Sequence, residues 1–184
     1  MGGEISSSYA GFGSSLQTIT LTGPVTGTGT GSFGTTITPM GFRAYGCSLS
    51  NLGLSSALMT MQWMSGAGAT NGTDTHSGMS LVNGTYTVPA GGAGFWQFNA
   101  QLKVQGTLAL NKQVDIQLQR NGSVTSRDLI YVQAGATFLD PIVADSLYVA
   151  VGDQLRIQIS TDAAAPFIAG STLENFFSGV RLSS

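Results

Sequence analysis

At 184 residues the chain can build one domain with a sizeable core, and two full domains would be crowded. Seven Lys and Arg against nine Asp and Glu leave a net charge of −2 with no basic cluster, which argues against nucleic-acid binding through counterion release. No apolar run approaches the ~20 residues of a bilayer span, and no basic start leads into an apolar stretch of the secretory kind, so membrane insertion is not expected and synthesis in a cytoplasm is.

Residues 1–41 are dominated by Gly, Ser and Thr, with apolar residues too sparse for a core: Ile5, Leu16, Ile19, Leu21, Val25, Phe33 and Ile37. Up to Thr73 the only charges are Glu4 and Arg43. A free segment usually keeps itself soluble with charge, so this neutral stretch is expected to be an extended arm held by a partner. Thr18 to Thr22 reads as one short strand. The run Leu21-Thr22-Gly23-Pro24-Val25-Thr26-Gly27-Thr28-Gly29 resembles the Leu-Thr-Gly-Asp-Val-Thr-Gly-x-Gly segments of bacteriophage tail-fibre and related virion proteins, with Pro24 in place of Asp. Gly29-Thr30-Gly31-Ser32-Phe33-Gly34 formally matches Gly-x-Gly-x-x-Gly. A dinucleotide site would need a helix opening there and an acidic residue about 20 positions on. No helical periodicity follows, and the next carboxylate is Asp74, so the match reads as low complexity.

Beyond the arm, the elements are short strands separated by turn residues. Gly41 to Tyr45 reads as a first strand, and Ala57, Met59, Met61 and Trp63 alternate as a strand would. The lone Cys47 has no electropositive neighbour and reads as an inert residue. His76 lies in a polar loop, Thr73 to Gly78. Thr85 to Val88 form a β-branched and aromatic strand that ends at Pro89, Gly91 and Gly92. From Phe95 to Val104, Trp96, Phe98, Ala100, Leu102 and Val104 share one face, with Gln97, Asn99, Gln101 and Lys103 opposite. Val114, Ile116 and Leu118 alternate with Asp115, Gln117 and Gln119 and run into Asn121-Gly122, a strong hairpin signal. Past Gly152-Asp153, Leu155, Ile157 and Ile159 alternate with Arg156, Gln158 and Ser160. Asn71-Gly72-Thr73, Asn83-Gly84-Thr85 and Asn121-Gly122-Ser123 fit the glycosylation acceptor but read better as Asn-Gly turns. The whole describes an all-β sandwich or barrel.

Four segments carry a family resemblance: Gly84-Thr85-Tyr86-Thr87-Val88-Pro89, Gly94-Phe95-Trp96-Gln97-Phe98, Val151-Gly152-Asp153-Gln154-Leu155-Arg156-Ile157 and Phe177-Ser178-Gly179-Val180-Arg181-Leu182. Together with Gly41-Phe42-Arg43-Ala44-Tyr45, this series resembles the C1q/TNF-like jelly-roll β-sandwich over roughly residues 41–184. The turn Pro89 to Gly94 is longer than the family's Pro-x-Gly. The resemblance implies a head, residues 42–184, that forms a homotrimer and binds other surfaces without catalysis. Some members bind calcium, for which Asp140, Asp145, Asp153 and Asp162 qualify by type but lack the spacing of a dedicated loop. One His and one Cys supply neither a zinc site nor a triad, and no Gly-x-Ser-x-Gly elbow is present. No catalytic, cofactor-binding or metal-ligating residue is assigned, and no cofactor is expected.

These readings point to a non-enzymatic phage virion protein at the virion surface, made in the host cytoplasm. Its arm would hold the major capsid protein or another virion protein, and its head would decorate and cement the capsid. The alternative is a tail-fibre tip that contacts a host-surface receptor. Forty-one residues leave little room for an adaptor and a shaft, which favours decoration. Tyr131, Phe138, Tyr148, Phe167, Phe176 and Phe177 are the aromatic candidates to divide between the core and a trimer interface.

Overall fold

The computed structural model describes residues 19–21, 27–29, 40–46, 51–63, 74–170 and 174–183. Two compact units divide the chain, Met1–Ile37 and Thr38–Ser184. In the first, β1 (Ile19–Leu21) pairs antiparallel with β2 (Gly27–Gly29). The short strand expected around Ile19 is present, and part of the Gly/Thr run supplies its partner.

In the second unit the strands are β3 (Gly41–Tyr45), β4 (Asn51–Gly53), β5 (Met59–Thr60), β6 (Met79–Ser80), β7 (Thr85–Thr87), β8 (Gly94–Gln101) and β9 (Val104–Thr107). They continue with β10 (Gln113–Arg120), β11 (Ser123–Tyr131), β12 (Phe138–Leu139), β13 (Ile142–Val149), β14 (Gln154–Thr161), β15 (Ala165–Ala169) and β16 (Phe176–Ser183). One sheet runs β13-β8-β16-β3, and a second runs β11-β10-β14-β7-β6 with β5 also on β14. A third, β12-β9-β15-β4, completes the unit. Every pairing is antiparallel, and no helix occurs among the described residues.

Alternation explains the layering. Trp96, Phe98 and Ala100 of β8 and Val114, Ile116 and Leu118 of β10 are buried in one core together with Leu155, Ile157 and Ile159 of β14. Side chains at every second position face that core, as the two-residue period of a strand requires. Aromatic rings fill its centre: Phe42 stacks on Tyr86 at 3.9 Å and meets Phe177 edge-on at 4.9 Å, while Trp96 and Phe98 lie parallel at 5.8 Å. Gly179 makes room for this packing, since a Cβ there would stand 2.5 Å from Phe42 Cε1 and 2.8 Å from Phe98 Cδ1.

Several expectations are sharpened. The stretch from Phe95 to Val104 is not one strand: after Gln101 the chain leaves the sheet, Leu102 N–H donates to Pro141 O, and Val104 begins β9 in another sheet. Leu102 and Val104 are buried all the same. Around Trp63 the alternation holds for burial of Met61 and Trp63, but the strand itself is only Met59–Thr60, and Ala57 is exposed. Asn83-Gly84 and Asn121-Gly122 are turns, and Asn121 (φ 51°) and Gly122 (φ 86°) take the paired positive angles of a two-residue hairpin loop. The long Pro89–Gly94 connection closes with Gly92 N–H on Pro89 O. Arg181 then donates to Gly91 O at 2.9 Å and Ala93 O at 2.6 Å, which gives the extra residues of this turn a fixed shape.

Candidate assembly face

The outward faces of the two large sheets differ sharply in chemistry. On β10, Asp115, Gln117 and Gln119 point away from the core yet are almost fully buried by their neighbours. They form a hydrogen-bonded ladder: Gln119 Nε2 donates to Gln117 Oε1 (3.1 Å), and Gln117 Nε2 donates to Asp115 Oδ2 (2.9 Å). Arg127 closes one end with two bonds of 2.8 Å to Asp115, and Arg156 closes the other on Gln119 Oε1 at 3.0 and 3.2 Å. The hydrogen bond and charge of Asp115 strengthen the proton affinity of Arg127. The polar half of the β10 alternation is therefore a self-satisfied network.

The sheet β13-β8-β16-β3 presents the opposite character. Its outward positions follow from register: Tyr45, Phe176, Gln101 and Ile142 form one row across the strands, and Arg43, Ser178, Asn99 and Ala144 the next. Gly41, Val180, Gln97 and Ser146 follow, and Phe95 and Tyr148 pair at the far end with their rings edge-on at 5.5 Å. Two aromatic or aliphatic bands thus flank a polar centre. Phe95, Tyr148 and Ile142 are each about half exposed (52%, 51% and 53%), and Arg43 is the single charge on these rows. Arg43 lies over the rings of Tyr45 and Phe176, 4.7 and 4.8 Å from their centroids. Apolar groups displayed from a rigid sheet, with one weakly hydrated cation among them, are what a protein contact surface uses.

The structure sorts the six aromatic candidates. Phe177 belongs to the core, fully buried among Phe42, Trp63 and Phe98, because its position on β16 faces inward. Phe176 and Tyr148 lie on the outward face just described, whereas Phe138 at one end of β9's sheet carries Lys103 over its ring. Tyr131 is exposed at the end of β11, and Phe167 is half-buried on β15. Phe95, Tyr45 and Arg43 were missed as members of this face, although the alternation of Phe95 against Trp96 and of Arg43 against Phe42 was visible.

The other flagged residues are scattered. Asp153 accepts from Ala150 N–H, Asn121 Nδ2 and Arg120, Asp162 pairs with Lys112 and Gln113 N–H, and Asp145 accepts from Ser146 N–H. One Asp140 oxygen is buried and unpartnered. No cluster of three metal-ligating side chains occurs among the described residues, so the four aspartates are not brought together. His76 is exposed, its Nδ1 2.7 Å from Thr75 Oγ1 and its N–H on Asp74. Cys47, Asn71 and most of the Gly-x-Gly-x-x-Gly run lie outside the described residues. No described helix is long and apolar enough to cross a membrane.

Antiparallel sheets packed over one aromatic core, with β3 and β13 at the edges of the neutral sheet, define a TNF-like jelly roll. Among solved structures, the crystal structure of murine APRIL at pH 5.0 is similar, with a TM-score of 0.58 and 12% identity over 79% of this chain and 100% of that one. At that identity the likeness concerns the fold alone. No family model and no curated protein matches the sequence.

Proposed function

We propose that this protein is a non-enzymatic assembly module: a homotrimeric jelly-roll head, residues 42–184, carried by an arm, residues 1–41, on the surface of a phage virion. The contrast between the two sheet faces carries the reading. The hydrogen-bonded ladder at the centre of the β10 face gains little from docking, although Val124 and Tyr131 are exposed along its β11 edge, whereas the neutral face gains by burying Phe95, Tyr148, Ile142 and Val180 together. Copies associate through the neutral face, in keeping with the trimers that the C1q/TNF-like resemblance implies. The arm, charged only at Glu4, grips the major capsid protein or another virion protein, and the head cements the shell. The likeness of Leu21 to Gly29 to phage fibre segments supports the virion setting and favours a second reading, a fibre tip that contacts a host-surface receptor.

Sedimentation tests the assembly. Phe95→Asp together with Tyr148→Asp should convert trimer to monomer with the fold retained, and a wild-type monomer at micromolar concentration would refute the trimer. Imaging virions with and without the protein tests its place. Regular density over the shell supports cementing, and density confined to the tail refutes it in favour of the fibre tip. Deletion of residues 1–37, which stops short of β3, should leave a trimer that no longer binds empty capsids.

A further inference from the structure

We propose that the depression beside Arg43 binds a small organic carboxylate that also carries hydroxyl groups, a hexuronic acid being the simplest type. Arg43 stands apart from the other cations. Lys103, Lys112, Arg120 and Arg127 each pair with a carboxylate, Arg156 binds Gln119 and Arg181 binds three carbonyls. Among the described residues, Arg43 alone of the seven Lys and Arg has neither a hydrogen-bond acceptor nor an ion-pair partner. It is nevertheless held in place, because Tyr45 and Phe176 each present a ring face to its guanidinium. A planar fork of donors fixed in this way is ready to take a carboxylate with two parallel bonds and little further loss of freedom.

Space and neighbouring groups suit the same ligand. Gly41 and Ser178 have little or no side chain, and a depression of about 440 Å³ lies over them, bordered by Arg43, Gln97 and Asn99. That volume falls within the range of about 300–1,000 Å³ common for small-molecule sites. Asn99 shares the row of Arg43 across Ser178, and Gln97 lies one row on, across from Val180. Among the described residues neither carboxamide has a hydrogen-bond partner, so both retain donors and an acceptor for sugar hydroxyls. No acidic side chain lies on these rows to compete for the guanidinium.

All these groups come from one copy, so the site is complete in a monomer, although it lies on the face through which copies are proposed to associate. Its test is a titration of the ¹⁵N-labelled full chain with galacturonate, galactose and acetate, with sedimentation of the same samples. Galacturonate should give saturable shifts at Arg43 Nε–H and at the Asn99 and Gln97 amides, galactose none, and acetate weaker shifts at Arg43 only. Arg43→Lys keeps the charge but loses the fork and should weaken galacturonate about tenfold or more, and Arg43→Ala should abolish binding. Asn99→Ala should weaken binding while leaving the acetate response intact. The proposal falls if galacturonate gives no saturable shift or if its shifts survive in Arg43→Ala. It also falls if Arg43→Ala lowers the sedimenting mass while no carboxylate registers at Arg43, because the acceptor would then be a second copy. A monomeric wild type that still binds galacturonate would refute the trimer alone.

Discussion

Asp153 ties together three connections at one end of the sandwich, and its replacement should cost stability in a pH-dependent way. Its carboxylate, 9% exposed, accepts from Ala150 N–H at 2.8 Å, Asn121 Nδ2 at 2.7 Å and Arg120 at 2.7 Å. Its backbone carbonyl also receives Val88 N–H. Removing one partner of a buried ion pair costs roughly 3–5 kcal/mol. Arg120 is 35% exposed and can turn to water, which reduces the cost. We therefore expect about 2 kcal/mol for Asp153→Ala. Asp153→Asn keeps a carbonyl for Ala150 N–H and should lose about 1 kcal/mol. Burial by itself would raise the carboxyl of Asp153, but the Ala150 N–H, Asn121 and Arg120 outweigh it and hold the group below the ordinary carboxylate range. A carboxyl depressed in the folded state contributes stability that is complete above its unfolded value, about 3.9, and that disappears as pH falls through the folded value. Urea unfolding followed by the fluorescence of Trp63 and Trp96 should show a constant gap between wild type and Asp153→Asn from neutral pH to about pH 5, narrowing below about pH 4. An unchanged gap at low pH, or an Asn variant as stable as wild type at neutral pH, would refute this account.

Gly179→Ala should destabilise by about 1–3 kcal/mol through overpacking, since its methyl would press on the rings of Phe42 and Phe98, and a lowered melting temperature checks it. Tyr86→Phe should act in the other direction. The Tyr86 hydroxyl is buried without a partner, and burial, aided by Asp74, raises its pKa well above the usual phenol value, so its removal should gain about 1 kcal/mol. Thermal unfolding that shows a loss would mean that the hydroxyl is engaged. Arg181→Ala should release the Gly91 and Ala93 carbonyls at a cost of about 1 kcal/mol, seen as faster amide exchange across residues 90–95 and little change in β10.

Much of the sandwich was legible because a half-buried strand declares itself by alternation. Trp96 and Phe98, Ile116 and Leu118, and Ile157 and Ile159 all face the core as their spacing indicates. The Asn121-Gly122 turn was legible for the same local reason, since two consecutive positive φ angles need those residue types. Alternation assigns a face but does not say what the face meets. The β10 ladder was not legible because it depends on Arg127 and Arg156, the second of which arrives from a strand 37 positions beyond Gln119. Phe176 and Phe177 are adjacent and chemically identical, and only the register of β16 against β3 and β8 decides which is core. Arg43 was noticed as a rare charge in a neutral stretch, but its two supporting rings, Tyr45 and Phe176, come from different strands.

The ladder on β10 also has a sense of direction. Asp115 can only accept and Arg156 can only donate, so the two carboxamides between them have one consistent orientation, with every N–H aimed toward Asp115. Neither glutamine can flip alone without setting donor against donor at one neighbour and acceptor against acceptor at the other. Exchanging the terminal charges would require both amides to turn together, so this strip of sheet behaves as a single polar unit with two mutually exclusive settings, of which the sequence permits one.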